Sequence, residues 1–271
     1  ANKHHEEQGS SADNLRRMLA GSNICETHVN DKVQDAYVMR CMAQVHGAAK
    51  KMLKDAYRVI VDEMHSISDN PEIFAEGEDD GVALMSGNFD GSFVAAYADF
   101  ISMACAIVGN QVERGTDRMV NRNLNDGLPA FLVSNPGLNS GLMITQYTAA
   151  GLLDEVKHLA IPVSIDSIPT CAGQEDPVSM GYYASKKAGQ CVRKLQYMTA
   201  IEIYVALQAM DFLKPLEPSP ALAKVRDFIR EKVPFVDNDR FLYPDIEYIF
   251  GLVQDGTLVD ILEREIGKLE F

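Results

Sequence analysis

The chain has 271 residues, of which 46% are hydrophobic, and its formal net charge is −14. This length allows a sizeable core in one large domain or two, while the acidic balance argues against nucleic acid or an anionic membrane as the main partner. We find no apolar run of the roughly 18 residues that a membrane span needs. Five cysteines without a CxxC pair are typical of reduced thiols in a cytoplasmic protein.

Apolar residues recur at steps of three and four along most of the chain, which is the pattern of helices that bury one face. The predicted helices span residues 37–64, 93–120, 140–159, 177–212, 221–233, 244–254 and 257–268. The first ends before a Ser-Asp-Asn-Pro turn because proline cannot continue a helix. Ser219 and Pro220 form the pattern of an N-cap followed by a proline in the first turn.

These helices predict an all-α protein. Residues 1–214 are expected to form a bundle of long central helices, and residues 215–271 a small C-terminal helical satellite that packs on it. The helix at 93–120 is rich in alanine and has little polar face, so we expect it to be buried inside the bundle. Strand signals are weak and confined to residues 82–85.

Four polar segments interrupt the apolar helices, and each lies near the start of a long helix. They are residues 34–40, 86–91, 137–141 and 173–176. Buried polar groups need hydrogen-bond partners, and helix N-termini favour anions. The four segments together therefore predict a polar binding site.

Three side chains in these segments suit an amino acid substrate. The guanidinium of Arg40 can bind a carboxylate through two hydrogen bonds, the phenol of Tyr37 can transfer a proton, and the carboxylate of Glu175 can meet a cationic group. Tyr37 and Arg40 are three residues apart and would share a helix face. Plainer interpretations exist: Tyr37 and Arg40 as a surface pair, Glu175 as a helix cap, and Phe89 as an anchor in the core. The spacing of histidines and cysteines predicts neither a metal site nor a catalytic cysteine.

Six motifs follow one another along the chain: VQDAYVMRCMAQVHGA (33–48), SISDNP (66–71), SGNFDG (86–91), DGLPAFL (126–132), GLNSGLMITQYTAA (137–150) and SIDSIPTCAGQEDPVSMG (164–181). In this order they resemble histidine ammonia-lyase, within the aromatic amino acid ammonia-lyase and aminomutase family. The later segment LEPSPALAKVRDFIREKVPFVDNDRFLYPDI also resembles the C-terminal part of that family. The resemblance therefore covers nearly the whole chain.

The resemblance implies a mostly helical, homotetramer-like assembly whose active sites are shared between subunits. It also implies a prosthetic group, 4-methylidene-imidazole-5-one, which forms by cyclisation of an internal Ala-Ser-Gly. In the family this electrophile allows ammonia to be eliminated from an amino acid, and for L-histidine the product is trans-urocanate.

The family's site residues match positions in these motifs. The resemblance implies catalytic roles for Tyr37 and Glu175 and substrate-binding roles for Gln34, Arg40 and Phe89. Arg40 would bind the substrate carboxylate, Phe89 would flank the prosthetic group, and Glu175 would face the substrate side chain or amine. Three further residues are expected to contact the site residues, and not the substrate itself, and to hold them in place: Asn88, Asn139 and Gln174.

The chain also departs from the family pattern. It contains no Ala-Ser-Gly, so the prosthetic group is expected on an N-terminal chain or segment, and this chain alone is expected to be inactive. Asp90 and Pro177 stand where the family often has histidine. Glu175 favours histidine as the substrate because a carboxylate can pair with an imidazole. A tyrosine or phenylalanine ammonia-lyase, a 2,3-aminomutase and a non-catalytic helical scaffold subunit are the alternatives.

Overall fold

A computed structural model describes residues 3–76 and 80–271. Within them the chain forms ten α-helices and one two-stranded hairpin, which confirms the predicted all-α class. The helices are α1 (Glu6–Leu19), α2 (Asn23–His28), α3 (Tyr37–Arg40), α4 (Met42–Met64), α5 (Ser92–Val120), α6 (Met143–Leu159), α7 (Gly181–Phe212), α8 (Pro220–Arg230), α9 (Tyr243–Gln254) and α10 (Thr257–Ile266). The strands β1 (Glu72–Glu76) and β2 (Asp80–Leu84) pair antiparallel.

The predicted helices are present with small changes at their ends, and one of them is divided. Cys41 has φ −102° and ψ 11°, outside the helical region, so the predicted helix 37–64 separates into α3 and α4. The predicted cap of α8 is confirmed, because the Ser219 hydroxyl accepts a hydrogen bond from the Leu222 N–H at 3.2 Å. Helices α1 and α2 were not predicted. The sequence of α1 has few apolar residues, and the helix packs on α4.

Helices α5 and α7 run parallel through the centre of the bundle. Near their starts, Ala95 of α5 packs with Ala184 of α7, and farther along, Val112 packs with Met198. The small alanine side chains let the two backbones approach closely at one end. As a result, the loops that precede α5 and α7 emerge at the same end of the bundle.

Helix α6 runs antiparallel to this pair. Its Leu153 packs with Val112 of α5, whereas Val156, one turn later, packs with Cys105, which lies earlier in α5. The start of α6 therefore lies at the opposite end of the bundle from the starts of α5 and α7.

Helix α5 is long and apolar enough, by length and composition alone, to cross a membrane. The expectation that no apolar run reaches the length of a membrane span was therefore wrong for this helix. In the fold, α5 packs against α4, α6 and α7. Buried core helices commonly have the same composition.

The C-terminal helices share a hydrophobic cluster with α7. Tyr204 and Val205 of α7 are completely buried in it, together with Ile229 of α8 and Ile249 of α9. Helix α9 packs on α7. The C-terminal region thus packs on the bundle, while a domain boundary at residue 214 stays a prediction.

The first helix meets the last residues of the chain. The Asn14 side-chain amide donates to the Glu270 carbonyl at 2.7 Å, and its carbonyl oxygen accepts from the Glu270 N–H at 3.0 Å. On its other side α1 lies directly on α4. A Cβ atom at Gly47 would come within 2.7 Å of the Gln8 backbone, so this crossing requires glycine.

Candidate active site

Tyr37 and Arg40 lie on α3, a single helical turn beside α5. The Val38 carbonyl accepts a hydrogen bond from the Gln111 side chain of α5 at 2.7 Å, which fixes the turn there. The guanidinium carbon of Arg40 lies 5.3 Å from the centre of the Tyr37 ring, so the two side chains share a face as predicted. Tyr37 is 74% exposed. Gln34, which precedes the turn, and Arg40 are exposed as well.

Phe89 and Asn88 lie in the loop of residues 86–91, immediately before α5. The Ser86 hydroxyl donates to the Glu72 carboxylate at 2.6 Å and accepts from the Asn88 N–H at 3.4 Å. Phe89 is 57% exposed, so its ring is not part of the core of this chain. The loop continues into a contact with the segment that precedes α7, where the Gly91 N–H donates to the Ser179 hydroxyl at 3.1 Å.

Glu175 closes a six-residue loop. Thr170 and Glu175 form an isolated antiparallel bridge, in which each N–H donates to the other's carbonyl, at 3.0 and 3.4 Å. Between them Cys171, Ala172 and Gly173 all have positive φ angles of 47°, 56° and 87°. Such angles are rare for residues other than glycine and store backbone strain. Glu175 does not cap α7, since that helix begins six residues later at Gly181.

The carboxylate of Glu175 is held by hydrogen bonds inside this loop. The Thr170 hydroxyl donates to one carboxylate oxygen. Hydrogen bonds from Thr170, and then from the Cys171 thiol, lower the pKa of Glu175. In turn the hydrogen bond to Glu175 and its negative charge raise the pKa of Cys171. At neutral pH the loop therefore presents an ionised carboxylate, which can accept a proton or bind a cation.

A buried ion pair anchors the segment that leads to this loop. Asp99 of α5 and Lys187 of α7 lie 2.8 Å apart, and their side chains are 2% and 3% exposed. The other oxygen of Asp99 accepts the N–H groups of Val163 and Ser164 at 2.8 and 2.9 Å. The pair thus connects both central helices to the backbone just after α6.

Asn139 lies at the opposite end of the bundle, next to the start of α6. Its side chain donates to the Ser134 carbonyl at 3.0 Å and accepts from the Asp239 N–H at 3.2 Å. The Asp239 carboxylate accepts the N–H groups of Ser140 and Gly141 at 2.8 and 2.7 Å. Asn139 therefore links the bundle to the C-terminal region. Gln174, by contrast, is exposed within the strained loop.

The predicted site residues form separate groups within one chain. Gln111, which binds α3, lies about five turns after Ser92, so the Tyr37–Arg40 pair is ~28 Å along α5 from the loop of Phe89. The segment of Glu175 adjoins that loop through Ser179. A single site that contains both groups would therefore need residues from two copies of the chain.

Two surface grooves lie apart from the Tyr37–Arg40 pair and from the loops of Phe89 and Glu175. The larger groove, of about 560 Å³, lies between α6 and α7 and contains none of the predicted site residues. The second, of about 410 Å³, includes Ser140, Gly141 and Asp239, beside Asn139. Across residues 3–76 and 80–271, no three His, Cys, Asp or Glu side chains are grouped to hold a metal ion.

Thr170 and Cys171 are the functional candidates that sequence reasoning missed. Both stood within the motif that contains Glu175. Their contact with its carboxylate depends on two consecutive left-handed residues that are not glycine. The sequence offers no signal for that conformation.

The parallel central helices carry exposed polar loops at their starts and form the core of a helical bundle. Residues 1–231 match the family model described as aromatic amino acid lyase, and the chain belongs to that family. This match confirms the resemblance that was inferred from the six motifs and their order.

Relatives of known activity cover almost the whole chain. This chain is 44% identical over 266 residues to the histidine ammonia-lyase of Symbiobacterium thermophilum. The match covers 98% of this chain and 52% of the relative. The solved structure of histidine ammonia-lyase from Trypanosoma cruzi superposes with a TM-score of 0.87 at 35% identity, covering 97% of this chain and 49% of that one. Tyrosine aminomutase from Streptomyces globisporus gives a TM-score of 0.89 at 30% identity, covering 99% and 54%. The chain spans about half the length of these relatives.

Proposed function

We propose that the chain is one part of an ammonia-lyase that converts L-histidine to ammonia and trans-urocanate. The observation that carries this proposal is the ionised carboxylate of Glu175, which is exposed and held in place by Thr170. A fixed negative charge suits the imidazole of histidine better than the phenyl ring of an aromatic substrate. The similarity to histidine ammonia-lyases over 98% of the chain supports the same substrate.

The side chains of this chain have distinct tasks in the proposed reaction. Arg40 binds the substrate carboxylate, and its stacking on Tyr37 holds the guanidinium in one orientation. The Tyr37 phenol moves a proton at its oxygen, assisted by the neighbouring cation, and Gln34 orients the substrate beside it. Glu175 holds the substrate side chain and accepts a proton at its carboxylate.

The family's prosthetic group, 4-methylidene-imidazole-5-one, fits the residues present. The rings of Tyr37 and Phe89 are 74% and 57% exposed, so a Tyr37 of one copy and a Phe89 of another are available to flank a planar group that another segment supplies. When bound, this group supplies the electrophile that makes loss of ammonia possible. The Ala-Ser-Gly from which it forms lies outside this sequence.

We also propose that active sites are shared within a tetrameric assembly in the cytoplasm. The ~28 Å between the Tyr37–Arg40 pair and the loop of Phe89 far exceeds the length of an amino acid. One copy therefore cannot present both groups to one substrate molecule. The five free cysteines agree with a reducing compartment.

Mass spectrometry and an ammonia assay on the native assembly test the proposed function. We expect a polypeptide segment that contains Ala-Ser-Gly and is lighter than its sequence by the water lost on cyclisation. We also expect ammonia and trans-urocanate from L-histidine. An assembly that lacks the cyclised segment and releases no ammonia would support a non-catalytic scaffold instead.

The Glu175→Gln substitution in the complete enzyme tests the choice of substrate. Glutamine keeps the shape of the side chain but removes its charge, so kcat/KM for L-histidine should fall at least about 100-fold. Turnover of L-tyrosine, where measurable, should fall much less. Equal losses for both substrates would contradict recognition of the imidazole by Glu175.

A tyrosine 2,3-aminomutase is the second candidate, because the aminomutase structure superposes as well as the lyase structure does. An aminomutase returns ammonia to the neighbouring carbon of the product. Chromatography of the reaction products separates the two functions, since only an aminomutase accumulates a β-amino acid.

A further inference from the structure

The Thr170 hydroxyl donates a hydrogen bond to the carboxylate of Glu175, and the backbone of the loop brings these two residues side by side. The backbone bridge between Thr170 and Glu175 sets the ends of the loop side by side. Their side chains then project from opposing positions of an antiparallel pair, where cross-strand side chains interact directly. The hydroxyl donates to the carboxylate across this pair.

The backbone within the loop is strained to allow this contact. Cys171 and Ala172 both occupy the left-handed region, at φ 47° and 56°, although neither is glycine. Strain of this kind persists where the surrounding structure imposes it and is concentrated at functional sites. The same loop holds Cys171 close enough to Glu175 for the carboxylate to raise the pKa of the Cys171 thiol.

We propose that Thr170 is a positioning residue, whose hydroxyl fixes the Glu175 carboxylate in the orientation that the reaction uses. The proposal rests on the proposed function, in which Glu175 faces the substrate. In this proposal Thr170 acts through Glu175 and is not itself a catalytic residue. Its hydroxyl orients the proposed base, Glu175, by holding the carboxylate in one rotamer.

Two substitutions separate the hydroxyl from the shape of the side chain. Thr170→Val keeps the β-branched shape and the backbone bridge but removes the donor, whereas Thr170→Ser keeps the donor. In the complete enzyme we expect Thr170→Val to lower kcat/KM for L-histidine about tenfold, with KM changed less than kcat, and Thr170→Ser to restore most of the activity. Equal melting temperatures for the three proteins establish that folding is unchanged.

The pH profile is the decisive measurement. The hydrogen bond from Thr170 lowers the pKa of Glu175, so its loss should raise that pKa. The acid limb of kcat/KM should therefore move to higher pH in Thr170→Val and stay in place in Thr170→Ser. The double variant Thr170→Val/Glu175→Gln should be no slower than Glu175→Gln alone. Additive losses, or an acid limb that does not move, would overturn the proposal.

A chemical readout that needs no turnover accompanies the kinetics. Glu175 raises the pKa of the Cys171 thiol, so releasing the carboxylate should leave more reactive thiolate at slightly alkaline pH. Alkylation of Cys171 by iodoacetamide, followed by peptide mass spectrometry, should be faster in Thr170→Val and Glu175→Gln than in Thr170→Ser. If Glu175→Gln leaves the acid limb in place, the proposed role of Glu175 fails, while the alkylation rates still decide whether Thr170 holds its carboxylate.

Discussion

Replacing Lys187 with methionine should lower the free energy of unfolding by about 3–5 kcal/mol, because it leaves a buried carboxylate without its countercharge. Asp99 and Lys187 are almost fully buried and 2.8 Å apart. Methionine fills a similar volume, so the loss reflects the charge and not a cavity. Urea denaturation followed by circular dichroism measures the change.

Lys194→Met on the same helix is the matched control. Lys194 pairs with Glu155, which is 59% exposed, and exposed ion pairs contribute about 0–1 kcal/mol. If the two variants were equally stable, the buried pair would not stabilise the segment after α6.

The same variant should change the dependence of stability on pH. Burial alone would raise the pKa of Asp99, but Lys187 and the N–H groups of Ser164 and Val163 outweigh it, so the pKa is lowered overall. The stabilisation by ionised Asp99 is thus present above the ordinary aspartate pKa of about 3.9 and is lost as the pH falls below it. Without Lys187 the native-state pKa of Asp99 should rise towards or above its unfolded value, so acidification through this range should cost the variant less stability than it costs the parent protein.

Replacing Arg40 with alanine in the complete enzyme should raise KM for L-histidine about 100-fold. A guanidinium that binds a carboxylate through two charge-assisted hydrogen bonds contributes several kcal/mol to binding. Because this contact is made equally in the ground state and the transition state, kcat should change much less. Steady-state kinetics over a wide range of substrate concentration measures both constants.

Arg58→Ala is the control for the loss of an exposed arginine. Arg58 lies on α4, 18 residues after Arg40 in the sequence, and pairs with Asp55 at 3.1 Å. Its removal should leave KM unchanged. Arg40→Lys should lie between Arg40→Ala and the parent enzyme, since lysine keeps the charge but not the paired geometry. An unchanged KM in Arg40→Ala would exclude Arg40 from carboxylate binding.

Much of the fold follows from local sequence signals. Apolar periodicity predicts the central helices, and Ser219 with Pro220 predicts the start of α8. The break at Cys41 has no such signal, because the apolar pattern continues across it and the conformation depends on packing beside α5. Helix α1 was missed because its stability comes from contacts with α4 and with distant residues, not from an apolar stripe of its own.

The sequence predicts candidate site residues one by one but does not predict how they are arranged. A spacing of three predicts that Tyr37 and Arg40 share a face, and they do. Spacing contains no information on how far α3 lies from the start of α5, which depends on where Gln111 binds Val38. The contact between Thr170 and Glu175 could likewise not be predicted, because the sequence does not predict left-handed backbone at Cys171 and Ala172. The roles of the site residues stay predictions.

The contact between Asn14 and Glu270 affects the order in which the chain folds. The two residues are 256 positions apart, so α1 is synthesised long before α10 and the residues that complete its binding surface. Contacts across such a separation require closure of a long loop and form late. We therefore expect α1 to dock on α4 only loosely until the residues around Glu270 have been synthesised, and to acquire full protection from proteolysis after that. Among the described helices, α1 is on this basis made first and reaches its native stability last.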